Sequence, residues 1–283
     1  MTQVGFVVHP GRASAASTAD HLTDWLSRRD ASTRWFDDAL IGDVRAVDAF
    51  VEGLDLVVSV GGDGTLLRAA YVASRTSCPV LGVKVGRLGF LTEVEPDRAE
   101  KLLAQFLDGS ARIEERLAAI AEPVGAGFPP QWALNEIMVE KRARHRLIRL
   151  AVFVDDAYVT TFSADAVIVA TPTGSTAYSF SGGGPIVTPS VPCLVLTPVA
   201  AHMVFDRSFV LAESERVTLE VVGEEEGLIS ADGRESLELP VGARVRIGRA
   251  PKGARLVRSE DAPPFHSLVR EKFGLPGGDG AIE

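Results

Sequence analysis

Leu54-Asp55-Leu56-Val57-Val58-Ser59-Val60-Gly61-Gly62-Asp63-Gly64-Thr65-Leu66-Leu67-Arg68-Ala69-Ala70 decides how the rest of the chain is read. Leu56 to Val60 is a short apolar run, rich in β-branched residues, of the kind buried on both faces of a parallel sheet. Gly61-Gly62-Asp63-Gly64-Thr65 stops it. Glycine alone lets backbone turn this sharply and approach a ligand with no Cβ in the way. Helical spacing resumes from Thr65 to Ala73. The glycines thus join the carboxyl end of a strand to the amino end of a helix, where free N–H groups and the helix dipole favour an anion such as phosphate. Asp63 adds a carboxylate. It suits a magnesium contact, the acceptance of a hydroxyl proton in phosphoryl transfer, or the plainer task of capping the turn.

Outward from this stretch, the amino-terminal third alternates strand and helix. Val4 to Val8 reads as a first buried strand, Ser17 to Arg28 as a helix with apolar residues at Ala19, Leu22, Trp25 and Leu26, and Thr33 to Phe36 as a short strand. Val44 to Phe50 is amphipathic, and Pro79 to Val83 is a further parallel strand. Pro96 to Leu107 is a helix that opens on proline. This order implies right-handed parallel crossovers. His9-Pro10-Gly11-Arg12 follows the first strand and is open to two readings, a structural turn or a phosphate contact. Lys84-Val85-Gly86-Arg87-Leu88-Gly89-Phe90-Leu91 is a second glycine-punctuated loop, and in an open α/β sheet such loops converge on one crevice. Lys84 and Arg87 either face phosphate there or stay solvated.

The texture changes near Ile113. Trp132 to Met138, Leu147 to Val154, Tyr158 to Phe162, Ala166 to Ala170, Val217 to Val222 and Ala243 to Ile247 are short alternating runs, separated by turns such as Asp155-Asp156 and Asp232-Gly233. The expected fold is a Rossmann-like α/β domain over 1–112, a mostly antiparallel, sandwich-like β domain over 113–260, and a carboxyl-terminal helix within 261–283 packing back on the first domain.

The chain has 283 residues, 46% hydrophobic and 24% charged, which suits about two domains with substantial cores. A net charge of −9 argues against a nucleic-acid partner. Cys78 and Cys193 have no metal-like spacing. No apolar stretch approaches the ~20 residues of a membrane span, and the amino terminus lacks the basic segment of a signal peptide, so the cytoplasm is the expected location.

Two more segments carry chemistry. Asn135-Glu136 interrupts an otherwise apolar strand, Trp132 to Val139, and neighbouring strand residues point to opposite faces. An amide there can pair with a base edge and a carboxylate can accept from ribose hydroxyls, unless the strand is simply an exposed edge. Phe162 to Pro189 follows a buried strand with a dense run of hydroxyls and glycines around Tyr178, longer than a structural loop needs.

Gly-Gly-Asp-Gly-Thr (61–65), Asn-Glu (135–136), Thr-Pro-Thr-Gly-Ser-Thr-Ala-Tyr (171–178) and Gly-Gly-Pro-Ile-Val (183–187), in this order, resemble the signature set of the NAD kinases, and Gly-Arg-Leu-Gly-Phe-Leu (86–91) is similar to that family's second loop. The resemblance spans nearly the whole chain. It implies transfer of a phosphoryl group from ATP, or in some members inorganic polyphosphate, to the 2′-hydroxyl of the adenosine ribose of NAD, giving NADP. It implies Mg²⁺ carried mainly by the nucleotide phosphates, and a homodimer or homotetramer.

Position by position, Asp63 resembles the family's proton acceptor, with Gly62, Gly64 and Arg68 at the substrate and Phe90 as a pocket wall. Asn135 and Glu136 match the pair that holds adenosine, and Arg146 falls at a basic nucleotide contact. Asp165 matches an acid on the nicotinamide side. Thr176, Ala177, Tyr178 and Ser181 match the adenine and ribose loop, and Asp232 and Arg234 a turn near the phosphate-receiving end. Ala166 stands where the family usually has glycine, and Lys84 where asparagine is commoner. The implied mechanism closes two domains on a dinucleotide. A lipid or sugar-phosphate kinase sharing the glycine loop, or a catalytically silent dinucleotide-binding regulator, are the alternatives.

Overall fold

The computed structural model describes residues 1–86, 89–92, 94–125 and 127–276. Its contacts divide into two units, 1–115 with 254–283 and 116–253.

In the first unit, β1 (Thr2–Val8), α1 (Ala13–Ser27), β2 (Ala31–Trp35), α2 (Val44–Val51), β3 (Leu56–Gly61), α3 (Asp63–Ser74), β4 (Val80–Lys84) and α4 (Pro96–Leu107) alternate as the spacing predicts. β5 (Arg112–Arg116) follows. The sheet order is β2-β1-β3-β4, then the late strand Ala254–Arg258, then β5. β3 is central and wholly buried, which is why its residues are apolar throughout. Leu22, Leu26, Val58, Leu81 and Leu103 share one core between sheet and helices. Asp43 caps α2 by accepting from the Arg45 and Ala46 amides.

The second unit packs two six-stranded sheets. β6 (Ala119–Pro123), β7 (Gln131–Ala133), β8 (Glu136–Lys141), β9 (Ile148–Val154), β10 (Ala157–Ala164), β11 (Ala166–Ala170), β12 (Cys193–Val199), β13 (Phe209–Ala212), β14 (Val217–Val222), β15 (Gly227–Ala231), β16 (Leu237–Leu239) and β17 (Arg244–Arg249) supply them. One sheet runs β10-β9-β14-β17-β6-β7 and the other β13-β12-β11-β8-β15-β16. Their facing residues, among them Ile137, Val139, Leu150, Val167, Leu219 and Ile247, form one core. The Asp155-Asp156 turn takes positive φ at both residues, the backbone a tight hairpin requires, and joins β9 to β10. After β11 come a 3-10 turn at Thr173–Thr176 and the short helix α5 (Tyr178–Ser181).

Two features depart from the sequence reading. The strand β18 (Ala254–Arg258), assigned by pattern to the β domain, pairs in parallel with β4 through Leu256 and Val80. Leu256 and Val257 are both buried, so the run is covered on two faces. A strand that joins a sheet far away in sequence leaves no local signal of its partner. The run Trp132 to Val139 is likewise not one strand: β7 ends at Ala133 and β8 begins at Glu136. The last helix, α6 (Phe265–Phe273), belongs to the first unit, where the Phe265 and Phe273 rings lie 6.4 and 6.0 Å from that of Phe90.

Candidate active site

In the first unit the glycine loop is held from two sides. Gly62 precedes α3 in extended backbone with no side-chain cap. The Asp63 side chain leaves the helix start and accepts N–H bonds from Phe90 at 2.7 Å and from Leu91 and Thr92 at 3.2 Å each. A Cβ at Gly89 would fall 1.8 Å from Asp63 Oδ1, so glycine there admits the carboxylate. A carboxylate offers about four acceptor positions. Three are taken, and one remains on Asp63.

Gly62, Gly64, Thr65 and Arg68 line a cavity of about 440 Å³. Arg68 also pairs with Asp38 at 3.5 Å. Lys84 pairs with Glu95 at 2.7 Å rather than entering that cavity's lining. Phe90, half-buried, donates its amide to Asp63 and meets the α6 aromatics with its ring. Arg87 lies outside the described residues.

In the second unit the break at Leu134-Asn135 is the organising feature. Asp232 accepts from the amides of Leu134 at 2.7 Å, Asn135 at 2.8 Å and Glu136 at 3.1 Å. The matching carbonyls go to Thr171, whose hydroxyl donates to Leu134 and whose amide donates to Asn135 at 2.8 Å. Gly174 follows so closely that a Cβ would lie 2.1 Å from the Asn135 carbonyl oxygen. With the backbone so satisfied, the side chains are free for something else. Asn135 Oδ1 and Glu136 Oε2 are buried and have no hydrogen-bond partner. Burial, with the Asp232 carboxylate as a smaller contributor, pushes the Glu136 carboxyl up to about 8. Asn135 Oδ1 accepts, and the Glu136 carboxyl donates while it holds its proton and accepts once ionised, so the chemistry of the pair suits hydroxyl and amino groups.

The Asp232 and Arg234 expectation changes most on inspection. The Asp232 side chain is 1% exposed and its oxygens are engaged by backbone, while Arg234 donates to the Trp132 carbonyl. Burial holds Asp232 above the ordinary carboxylate range, against the three amides and Arg234, which pull the other way. These two residues shape the Asn135-Glu136 break from behind. Thr176 and Ala177 are half-buried and Tyr178 and Ser181 exposed on the segment that follows Gly174.

Asp165 and Arg146 are not brought to this group within the unit. Asp165 bonds to Lys141 at the far end of β8, roughly 17 Å along the strand from Glu136. Arg146 lies beyond it, pairs with Glu225 at 3.2 Å and lines a separate cavity of about 340 Å³. Ala166, the departure from glycine, is buried in β11 opposite Glu140. Thr171 and Gly174 are the positioning residues that sequence reasoning undervalued; their signal was a Thr-Pro-Thr-Gly run directly after a buried strand.

Among the described residues no group of three or more His, Cys, Asp or Glu side chains is placed to hold a metal ion. Asp63, the one acid on the glycine loop, already serves three amides.

A glycine loop at a strand-to-helix junction, a fixed carboxylate beside it, and unsatisfied acceptors on a β-sandwich define a nucleotide-binding phosphotransferase of two domains. Comparison sharpens that class. Residues 4–111 match the ATP-NAD kinase N-terminal domain and 134–259 the ATP-NAD kinase C-terminal domain. An NAD kinase of Rhodococcus jostii is 36% identical, covering 97% of this chain and 93% of its own length. A crystal structure of an NAD kinase from Archaeoglobus fulgidus in complex with ATP is 26% identical with a TM-score of 0.74, covering 97% of this chain and 98% of that one. The yeast NADH kinase complexed with NADH shares the fold, with a TM-score of 0.83 at 23% identity over 100% of this chain and 89% of that one. The chain belongs to the NAD kinase family.

Proposed function

We propose that this chain phosphorylates the 2′-hydroxyl of the adenosine ribose of NAD with ATP, giving NADP and ADP, and that Asp63 accepts the hydroxyl proton. The observation that carries this is the Asp63 carboxylate, immobilised by three amides beside the glycine-loop cavity with one acceptor position left. A fixed carboxylate with one vacant lone pair can orient a single hydroxyl. As a weak base it adds alignment first and proton acceptance second, and positioning is the larger source of rate in phosphoryl transfer.

Asn135 and Glu136 take the adenosine part through the two buried oxygens that lack donors. Thr176, Ala177, Tyr178 and Ser181 complete that recognition, with the exposed Tyr178 ring as a surface for the base. Arg68, on the first turns of α3, neutralises phosphate charge. A Mg²⁺ ion carried by the donor's phosphates would supply further charge neutralisation there. Polyphosphate is a second possible donor. Asp165 and Arg146, remote from Glu136 along β8, act on the dinucleotide only if a homodimer or homotetramer brings another copy's surface to the site. The cytoplasm is the location we propose for this activity.

The test is the purified protein with NAD, ATP and Mg²⁺, read by NADP formation. Steady NADP production is expected. Binding of NAD with no product would favour the silent regulator, and phosphorylation of a lipid or sugar phosphate in place of NAD would favour the other alternative.

A further inference from the structure

The loop after β1, His9-Pro10-Gly11-Arg12, is not used by the mechanism above, yet His9 and Arg12 line the same 440 Å³ cavity as the glycine loop. Backbone bonds draw the ends of β1, β3 and β4 together there: His9 N donates to Val60 O at 3.0 Å and Val85 N to Gly61 O at 2.8 Å. Arg12 then reaches across from the β1 loop and donates to the Val85 carbonyl. Gly86 makes room for it. A Cβ at that residue, already at φ +113°, would lie 2.3 Å from Arg12 Nη1.

The guanidinium has five N–H donors in a rigid fork, and among the described residues only the Val85 contact uses one. No carboxylate lies within 4.0 Å of it among the described residues, whereas Arg68, which lines the same cavity, is paired with Asp38. His9 lines the same cavity, and its Nδ1 is buried with no partner among the described residues. A cavity with a guanidinium, an imidazole and a helix amino terminus on its walls selects a group with several anionic oxygens.

We propose that His9 and Arg12 grip the phosphate chain of the donor against the glycine loop, so that donor affinity depends on them and dinucleotide affinity does not. This rests on the kinase reading above. Arg12 is the principal contact, and Gly86 is present to admit it.

The experiment measures the KM for ATP and for NAD in Arg12→Ala, Arg12→Lys, His9→Ala and Gly86→Ala, with melting temperatures to verify folding. Arg12→Ala is expected to raise the KM for ATP at least about tenfold, the lower end for a lost charge-assisted bond, with the KM for NAD changed less than about twofold. Lysine should recover only part, since it lacks the fork. Adding Gly86→Ala to Arg12→Ala should raise the KM for ATP no further, because the guanidinium it displaces is already gone. An unchanged KM for ATP, or equal rises for both substrates, would overturn the proposal. Calorimetry with inorganic tripolyphosphate separates it from the kinase reading. Wild type should bind and Arg12→Ala should bind at least about tenfold more weakly. If wild type binds tripolyphosphate through Arg12 but forms no NADP, the kinase reading fails and the phosphate site stands. If wild type forms NADP while Arg12→Ala keeps both its KM for ATP and its tripolyphosphate affinity, the site fails and the kinase reading stands.

Discussion

Asp63 and Asp232 solve one local problem in two units and end with different capacities. Each accepts three consecutive backbone amides, Phe90-Leu91-Thr92 in one case and Leu134-Asn135-Glu136 in the other. Each has a glycine nearby whose Cβ would collide, Gly89 with the carboxylate itself and Gly174 with the Asn135 carbonyl. Asp63 is half-buried and its two neighbours on the loop, Gly62 and Gly64, line a cavity. Asp232 has a side chain 1% exposed and stands behind the segment it clamps. A carboxylate bound to three amides is a joint in either setting, and the two differ in exposure: Asp63 is half-buried beside a cavity, Asp232 almost wholly buried. In the second unit the joint instead leaves its neighbours, Asn135 and Glu136, each with a buried oxygen that has no partner among the described residues.

The comparison breaks first at Asp63. Asp63→Asn should lower kcat for NADP formation at least about a hundredfold, the lower end for loss of a general base. Asp232→Asn should lower it far less once the folded fraction is matched; equal losses in both variants would erase the distinction.

Glu136 sharpens the other side. Its carboxyl holds a proton up to about 8 in the folded chain, against an ordinary value of 4.5 in the unfolded one. Between those values the folded state binds more protons, so this group's contribution to stability falls as pH rises. Affinity for NAD should move the opposite way, because the ionised carboxylate accepts hydroxyl donors, with a limit of about tenfold per pH unit for one proton. Glu136→Gln should flatten both profiles over that window. Wild-type binding that is level with pH would contradict the role.

Smaller effects follow. Asp232→Asn replaces a double acceptor with a single one in a buried place and should destabilise by about 1–3 kcal/mol, read in urea unfolding. Gly64→Ala should do the reverse on the first unit. Among the described residues no atom outside its own helix turn lies within 4 Å of a Cβ there, and the residue is in the first turn of α3, so a gain of about 0.5–1 kcal/mol in unfolding free energy is expected.

Much of this was legible in the chain because its signals are local. β3, α3, α4 and β11 follow from period and from glycine or proline at their ends, and the Asp155-Asp156 turn from residues that tolerate positive φ. What was not legible depends on partners distant in sequence. The break at Leu134-Asn135 exists because Asp232, nearly a hundred residues later, satisfies its amides. The apolar run at Leu256 could have joined either unit, and only its pairing with Val80 decides. Asp232 and Arg234 were expected at the ligand through the family resemblance alone, and nothing local to their turn announces that the Asp232 oxygens and an Arg234 N–H are engaged by distant backbone.

The most direct measurement is the affinity of Asp63→Asn for NAD, by calorimetry at neutral pH. If the acid serves the chemistry while the Asn135-Glu136 segment holds the dinucleotide, the variant binds NAD within about threefold of wild type despite its lost turnover. Binding that falls in proportion to kcat would show that Asp63 is a substrate anchor, and the division of labour drawn here would be wrong.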